Sequence, residues 1–141
     1  MEEKKLVIYI AGPYTGDSAK EISENVQNAE RVGQEILRRG HVALCPHSMT
    51  HDWDIGTGLG YQVFIDSDLV LLERCDAICM VHGYGRSKGS MGELKRAEEL
   101  DLQIFLSIDQ VPLGPGAVDP FGDGLPPAVD IPGGPYLPRT Y

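Results

Sequence analysis

Compact apolar runs alternate along the chain with segments in which apolar residues recur at helical spacing. The apolar runs predict strands at residues 6–11, 41–45, 76–82 and 102–108. The helical spacing predicts helices at residues 18–39, 61–73 and 90–100. Strands that alternate with helices are typical of an α/β fold. We expect a Rossmann-like or flavodoxin-like parallel sheet of about four to five strands, with helices on both faces.

Two stretches of the chain follow neither pattern. Residues 46–60 are polar and glycine-bearing and follow a strand that a proline breaks, so we predict a loop rather than a regular element. Most of the ten prolines fall in residues 109–141. A catalytic domain of residues 1–108 is therefore expected to precede a Pro/Gly-rich tail outside the core, flexible or polyproline-like. Alternatively, Tyr136 or Tyr141 folds over a pocket, in this subunit or a neighbouring one.

The composition fits one globular domain and argues against two classes of partner. A chain of 141 residues with 42% apolar residues is long enough to bury a core. The net charge of −9 argues against nucleic-acid polymers and anionic membranes, because both favour a basic surface. The first apolar run is too short for a signal peptide, so we expect a cytoplasmic protein. Its three cysteines are expected to be reduced, buried and inert.

Three polar loops are predicted to meet where the parallel strands end, at residues 12–16, 46–60 and 83–92. Open α/β sheets bind their ligands beyond the carboxyl ends of the strands. In the third loop, glycines permit a close backbone approach, and Ser87 and Ser90 offer hydroxyl groups. The next helix directs its positive end at the same space. These features suit an anionic small molecule.

Glu93, at the end of the third loop, has two interpretations. Ser90 and Glu93 match the S-x-x-E capping box, in which the glutamate only bonds the start of its own helix. Alternatively, Glu93 places a carboxylate at the mouth of the pocket. Tyr9, Tyr14 and Thr15 are similarly open to two interpretations, because they either flank a planar base and a sugar or are ordinary strand and turn residues.

The second loop carries the residues His47, His51, Asp52 and Asp54, which suggest a metal site. A neighbouring proline and glycine make helical His-x-x-x-His geometry doubtful, and the zinc-protease motif H-E-x-x-H is absent, so we expect no metal. Two alternatives follow. The histidines and Trp53 either pack and form hydrogen bonds only, or His51 or Trp53 helps to form a base pocket.

Two aspartates interrupt the second predicted helix. Asp66 and Asp68 lie about 200° apart around a helix, so at most one of them faces the site. An acid among so many apolar residues is either on the solvent face or buried for a reason. The spacing does not choose between the two aspartates.

Three segments together resemble the nucleoside 2-deoxyribosyltransferase superfamily: Ile8-Tyr-Ile-Ala-Gly-Pro13, Ser67-Asp-Leu69 before a Cys-Asp-Ala-Ile strand, and Ser87-Lys-Gly-Ser-Met-Gly-Glu-Leu94. The resemblance covers residues 6–108. It implies that Glu93 is a nucleophile, that Asp68 assists at the nucleobase and the nucleophile, and that Tyr9 supports the glutamate.

The residue six positions before the glutamate separates two branches of this superfamily. Transferases of free nucleosides characteristically have an aspartate there for the sugar 5′-hydroxyl, whereas nucleoside 5′-monophosphate N-glycosidases have a serine at the phosphate. The residue here is Ser87, so the sequence is more similar to the second branch. It departs from the superfamily in having Gly92 directly before Glu93, and its tail lacks the asparagine that completes the transferases' sugar site.

The resemblance implies an N-glycosidase that hydrolyses a (deoxy)nucleoside 5′-monophosphate to a free base and (deoxy)ribose 5-phosphate, with no metal or organic cofactor. The alternatives are a 2-deoxyribosyltransferase that exchanges bases and a noncatalytic nucleotide-binding or sensor module. A homo-oligomer is expected by analogy. The residues expected to bind the small-molecule nucleotide are Gly12, Pro13, Tyr14, Thr15, Ser87, Gly89, Ser90, His51 and Trp53.

Overall fold

A parallel sheet with helices on both faces organises residues 4–118, the part of the chain that the computed structural model describes. The strands are β1 (Val7–Ala11), β2 (Val42–Leu44), β3 (Ala77–Met80) and β4 (Gln103–Phe105). The α-helices are α1 (Ala19–Arg38), α2 (Pro46–Met49), α3 (Tyr61–Glu73) and α4 (Lys88–Glu99). Short 3₁₀ turns occupy Tyr84–Arg86 and Ile108–Gln110. The predicted α/β fold class is confirmed. Of the helices in this range, none has the length and apolar character needed to cross a membrane.

The strand order of the sheet is β2-β1-β3-β4, and all neighbouring strands are parallel. The two central strands pair with Tyr9 opposite Ile78. The chain builds β2 on one side of β1 and then crosses back to build β3 and β4 on the other side, so the order reverses between β1 and β3. In open α/β sheets, a ligand crevice forms beyond the carboxyl ends of the strands at such a reversal.

Side chains of the central strands alternate between two apolar cores. Ile8 and Ile10 of β1 pack with Ile36 of α1 on one face of the sheet. Tyr9 packs with Leu72 of α3, and with α4, on the other face. Strands that are buried on both faces consist almost entirely of apolar residues. These strands therefore appear in the sequence as apolar runs. The alternation also places the hydroxyl group of Tyr9 beneath the α3–α4 layer.

Two predictions near the carboxyl edge of the sheet were wrong: the loop at residues 46–60 contains a short helix, and the helix predicted to begin at residue 90 begins earlier. Residues 46–49 form the one-turn helix α2, with a proline in its first turn, where a loop was predicted. Helix α4 begins at Lys88, and its N-cap is Ser87, whose hydroxyl oxygen accepts a hydrogen bond from the Ser90 N–H at 3.1 Å. The Ser90–Glu93 capping box is therefore not formed. Glu93 lies in the second turn of α4, too far along the helix for that contact.

The first part of the predicted tail packs against the end of α1, contrary to expectation. Val111 is only 2% exposed and belongs to the core on the α1 face. The Gly114 N–H donates a hydrogen bond of 2.7 Å to the carbonyl oxygen of Arg39. An apolar side chain and backbone hydrogen bonds thus hold a segment that its proline and glycine content assigned to the tail. Tyr136 and Tyr141 lie outside the described residues.

The three cysteine thiols are unpaired. Cys75 and Cys79 are buried, and Cys45 is half-buried. Burial raises the pKa of Cys75 to about 11 and that of Cys79 to about 12, and it also raises the pKa of Cys45. All three groups are therefore protonated thiols near neutral pH.

Candidate active site

A cavity of about 640 Å³ lies at the carboxyl edge of the sheet. Four segments form its wall: the loop after β1, helix α2 with the loop that follows it, the first two turns of α3, and the start of α4 with the residues just before it. Of the predicted site residues, the cavity is lined by Gly12, Tyr14, Thr15, Asp68, Ser87, Gly89, Ser90 and Glu93.

Glu93 lines the cavity from α4 and is only 8% exposed. The hydroxyl of Tyr9, a fully buried side chain of β1, donates a hydrogen bond of 2.5 Å to Oε2 of Glu93. Burial, followed by the charges of Glu93 and Asp68, raises the pKa of Tyr9, so its hydroxyl keeps the proton that it donates. The bond engages one carboxylate oxygen of Glu93 and leaves the other available to a ligand.

Asp68 supplies the second carboxyl group of the cavity. It lines the wall from α3, whereas Asp66 is exposed and accepts a hydrogen bond of 2.7 Å from Gln62. Burial raises the pKa of Asp68 to about 6. Burial, together with the negative charge of Asp68, raises the pKa of Glu93 to about 7, although the Tyr9 hydrogen bond acts in the opposite direction. Both carboxyl groups therefore titrate close to neutral pH.

The start of α4 forms a different, anion-attracting end of the cavity. The hydroxyl oxygen of Ser87 accepts hydrogen bonds from the Ser90 N–H at 3.1 Å and from the Ser90 hydroxyl at 2.9 Å. The O–H of Ser87 itself remains available to donate. The N–H groups of Lys88 and Gly89 lie in the first turn of α4, where no intrahelical acceptor is available, and they add to the positive end of the helix dipole.

Two cations flank Ser87 and were missed by the sequence analysis. Arg86 and Lys88 both line the cavity, and both side chains are exposed. Within residues 4–118, neither forms an ion pair with a carboxylate. The signal was present in the sequence, because one basic residue lies on each side of the serine that the resemblance had singled out.

His47 lines the cavity and holds the first loop through hydrogen bonds, in agreement with the alternative in which the loop histidines pack and form hydrogen bonds. Its Nε2 lies 2.8 Å from the carbonyl oxygen of Gly12 and 3.0 Å from that of Pro13. Burial lowers the pKa of His47, so the neutral ring donates its Nε2 proton to these oxygens. Pro13 thus contributes a backbone contact to the loop and does not line the cavity.

His51 and Trp53 lie outside the cavity wall. Nδ1 of His51 is 3.2 Å from the Tyr14 hydroxyl, so this ring supports Tyr14, which does line the cavity. Trp53 is 56% exposed. The apolar part of the wall comes instead from residues that the sequence analysis did not select, namely Leu59, Tyr61, Phe64 and Ile65.

The histidines and aspartates of the second loop do not converge. Among residues 4–118, no group of three or more histidine, cysteine, aspartate or glutamate side chains is arranged to hold a metal ion. His47 instead contacts the backbone of the first loop, and His51 contacts Tyr14.

One solved structure with a similar fold is that of an enzyme. A 2-deoxyribosyltransferase from the psychrotolerant bacterium Bacillus psychrosaccharolyticus aligns with a TM-score of 0.50 and 20% sequence identity, over 70% of this chain and 69% of that chain. At this identity the likeness concerns the fold alone. The Rossmann-like α/β fold that the sequence resemblance implied is confirmed.

The comparison with protein families identifies a definite range of the chain, but the description of the matching family gives no function. Residues 6–107 match the family described as "Domain of unknown function (DUF7768)", and the chain belongs to this family. No curated protein matches the chain. The matched range contains the whole sheet and every residue of the cavity wall.

Proposed function

We propose that the protein is an N-glycosidase that hydrolyses a (deoxy)nucleoside 5′-monophosphate to a free base and (deoxy)ribose 5-phosphate. The observation that carries the proposal is the pair of cavity carboxyl groups, Glu93 and Asp68, both with pKa values raised toward neutrality. Perturbed carboxyl pairs in a cleft are typical of acid–base and covalent catalysis. The predicted cytoplasmic location and homo-oligomer stay predictions.

The chemistry needs only these two carboxyl groups and water. The Glu93 carboxylate attacks C1′, the bond from C1′ to the base breaks, and the Asp68 carboxyl gives its proton to the departing base. Water then attacks C1′, Asp68 takes one of its protons, and the ester bond to Glu93 breaks. The transition states resemble an oxocarbenium ion, as in retaining glycosidases. Tyr9 orients the nucleophile through its 2.5 Å hydrogen bond to Oε2.

The phosphate of the substrate is assigned to the start of α4. Ser87 offers a hydroxyl donor, Lys88 and Gly89 offer backbone N–H groups, and Arg86 and Lys88 supply two positive charges. A dianionic phosphate suits this set of donors. The base is assigned to the apolar wall, where Tyr61 and Phe64 offer aromatic surface.

A panel of nucleoside 5′-monophosphates and the matching nucleosides provides the test. Incubation with the protein is expected to release free base and sugar phosphate from at least one monophosphate, as measured by chromatography. Consumption of unphosphorylated nucleosides while all the monophosphates survive would contradict the assignment of Ser87 to the phosphate.

Base exchange is the second candidate, because the solved structure of similar fold is named a 2-deoxyribosyltransferase. The same incubation with a second free base separates the two reactions, since a new nucleoside or nucleotide forms only by transfer. A noncatalytic nucleotide-binding module would instead raise the melting temperature with added ligand and release no base.

The pH dependence of kcat/KM is expected to be bell-shaped, with its maximum between pH 6 and 7. Glu93 must be ionised to attack, and this fraction grows as pH rises through about 7; Asp68 must be protonated to give its proton to the base, and this fraction shrinks as pH rises through about 6. The product of the two fractions is largest midway between these values, where a minority of the molecules holds both groups in the required state. Asp68→Asn is expected to lower kcat by about 100-fold and to remove the alkaline limb. Asp66→Asn, on the exposed face of the same helix, should leave the bell unchanged; a flat profile for wild type would contradict the assignment.

A further inference from the structure

Residues 50–60, named the 50–60 loop, expose an unusual amount of apolar surface beside the cavity. Trp53 is 56% exposed, Ile55 69% and Leu59 40%. Single exposed apolar residues are ordinary, whereas several on one short loop beside a cavity indicate a surface that contacts a ligand or another surface. Leu59 also lines the cavity, so the apolar surface of the loop continues into the cavity wall.

The loop is only weakly attached to the rest of the domain. Within residues 4–118, every hydrogen bond of residues 53–59 goes to another residue of the 50–60 loop, such as the 2.6 Å bond from the Thr57 hydroxyl to the Trp53 carbonyl oxygen. The contact between His51 and the Tyr14 hydroxyl connects the start of the loop to the first loop. No hydrogen bond in the described part of the chain therefore ties residues 53–59 to the rest of the domain.

Two glycines in the second half of the loop allow its backbone to rotate. Gly56 and Gly58 have positive φ angles of 69° and 76°. A Cβ atom added to either would meet nothing within 4 Å, so the backbone there is not held by packing. Small residues in loops of this kind commonly absorb the backbone rotation of a closing lid.

We propose that the 50–60 loop is a lid that closes over the cavity and brings Trp53 onto the base of the bound nucleotide. This inference rests on the proposed function. The cavity provides an aromatic wall at Tyr61 and Phe64, and closure supplies a second aromatic surface on the opposite side of a planar base. Closure also excludes water other than the one that reacts.

Trp53 is the only tryptophan in the chain, so its fluorescence reports directly on the lid. The experiment uses Glu93→Gln, which is expected to bind a nucleoside monophosphate without cleaving it. Binding should shift the Trp53 emission to the blue and lower its quenching by acrylamide. Ribose 5-phosphate, which lacks a base, should leave both signals unchanged.

Affinity provides the second measurement. In the Glu93→Gln background, Trp53→Ala is expected to weaken binding of the monophosphate by about tenfold in calorimetry. Leu37→Ala, in α1 and outside the cavity wall, is the matched control, because Leu37 is 57% exposed and Trp53 is 56% exposed, and it should leave the affinity unchanged. If the monophosphate binds with unchanged Trp53 emission and equal affinity in both variants, the lid is refuted while the proposed function stands. If wild type neither binds nor cleaves any nucleotide, the proposed function fails and the lid with it.

Discussion

Replacing Glu93 with glutamine is expected to lower kcat for monophosphate hydrolysis by at least about 10³-fold, because the amide cannot form the glycosyl ester. The shape of the site should survive. Glutamine has nearly the same size, and its carbonyl oxygen can accept the hydrogen bond that Tyr9 donates at 2.5 Å. Single-turnover chromatography of the preferred monophosphate measures the effect.

Stability distinguishes a chemical role for Glu93 from a structural one. The pKa of Glu93 is about 7 in the folded protein, against an ordinary value of 4.5 for a glutamate, so the folded chain holds this proton over a range in which the unfolded chain has lost it. Glu93 therefore contributes a fall in the free energy of unfolding as pH rises from 4.5 to 7, and Glu93→Gln should lack this contribution and keep only the fall due to Asp68, whose pKa is about 6. The variant is expected to be at least as stable as wild type at pH 8 in urea unfolding. Loss of both activity and stability would favour a structural role.

Replacing Ser87 with aspartate is expected to lower kcat/KM for the monophosphate by roughly 100-fold or more, because a carboxylate beside a phosphate is repelled. Aspartate is as good an N-cap as serine, so α4 should still begin at Lys88. Activity on the matching unphosphorylated nucleoside should not fall, since only the phosphate meets the new charge. Steady-state kinetics on the two substrates gives the ratio.

Ser87→Ala is the companion variant, and it separates charge from capping. It removes the hydroxyl and the cap, which costs about 1 kcal/mol of stability, but adds no charge. Its loss of kcat/KM on the monophosphate should be smaller than that of Ser87→Asp. If Ser87→Asp lowers activity on both substrates equally, the phosphate lies elsewhere in the cavity.

The strands of the sheet could be predicted because burial on both faces produces continuous apolar runs in the sequence. The predicted limits of α3 agree with Tyr61–Glu73, and each strand lies within its predicted range. The start of α4 was harder to predict. Ser87 and Ser90 are both good N-caps three residues apart, and the choice depends on the 3₁₀ turn Tyr84–Arg86, which follows Gly83 at a φ of 90°.

The candidate site was predictable where one sequence segment carried several of its residues, and obscure where distant segments meet. Ser87 and Glu93 share the start of α4, so their proximity followed from the motif. His47 and Gly12 are 35 positions apart, and their contact depends on how α2 is placed beside the loop after β1. Helical spacing did not choose between Asp66 and Asp68, and the resemblance indicated Asp68; the packing of α3 places Asp68 in the cavity wall and leaves Asp66 exposed.

Because the native cysteine thiols are buried or half-buried, a dye can be attached to this chain at one chosen position. Cys75 and Cys79 are buried, Cys45 is half-buried, and burial raises the pKa of each, so none reacts quickly with a maleimide near pH 7. A new cysteine at the well-exposed position 55, made by Ile55→Cys, would react first. A single fluorophore could then be placed on the chain without removing any native cysteine.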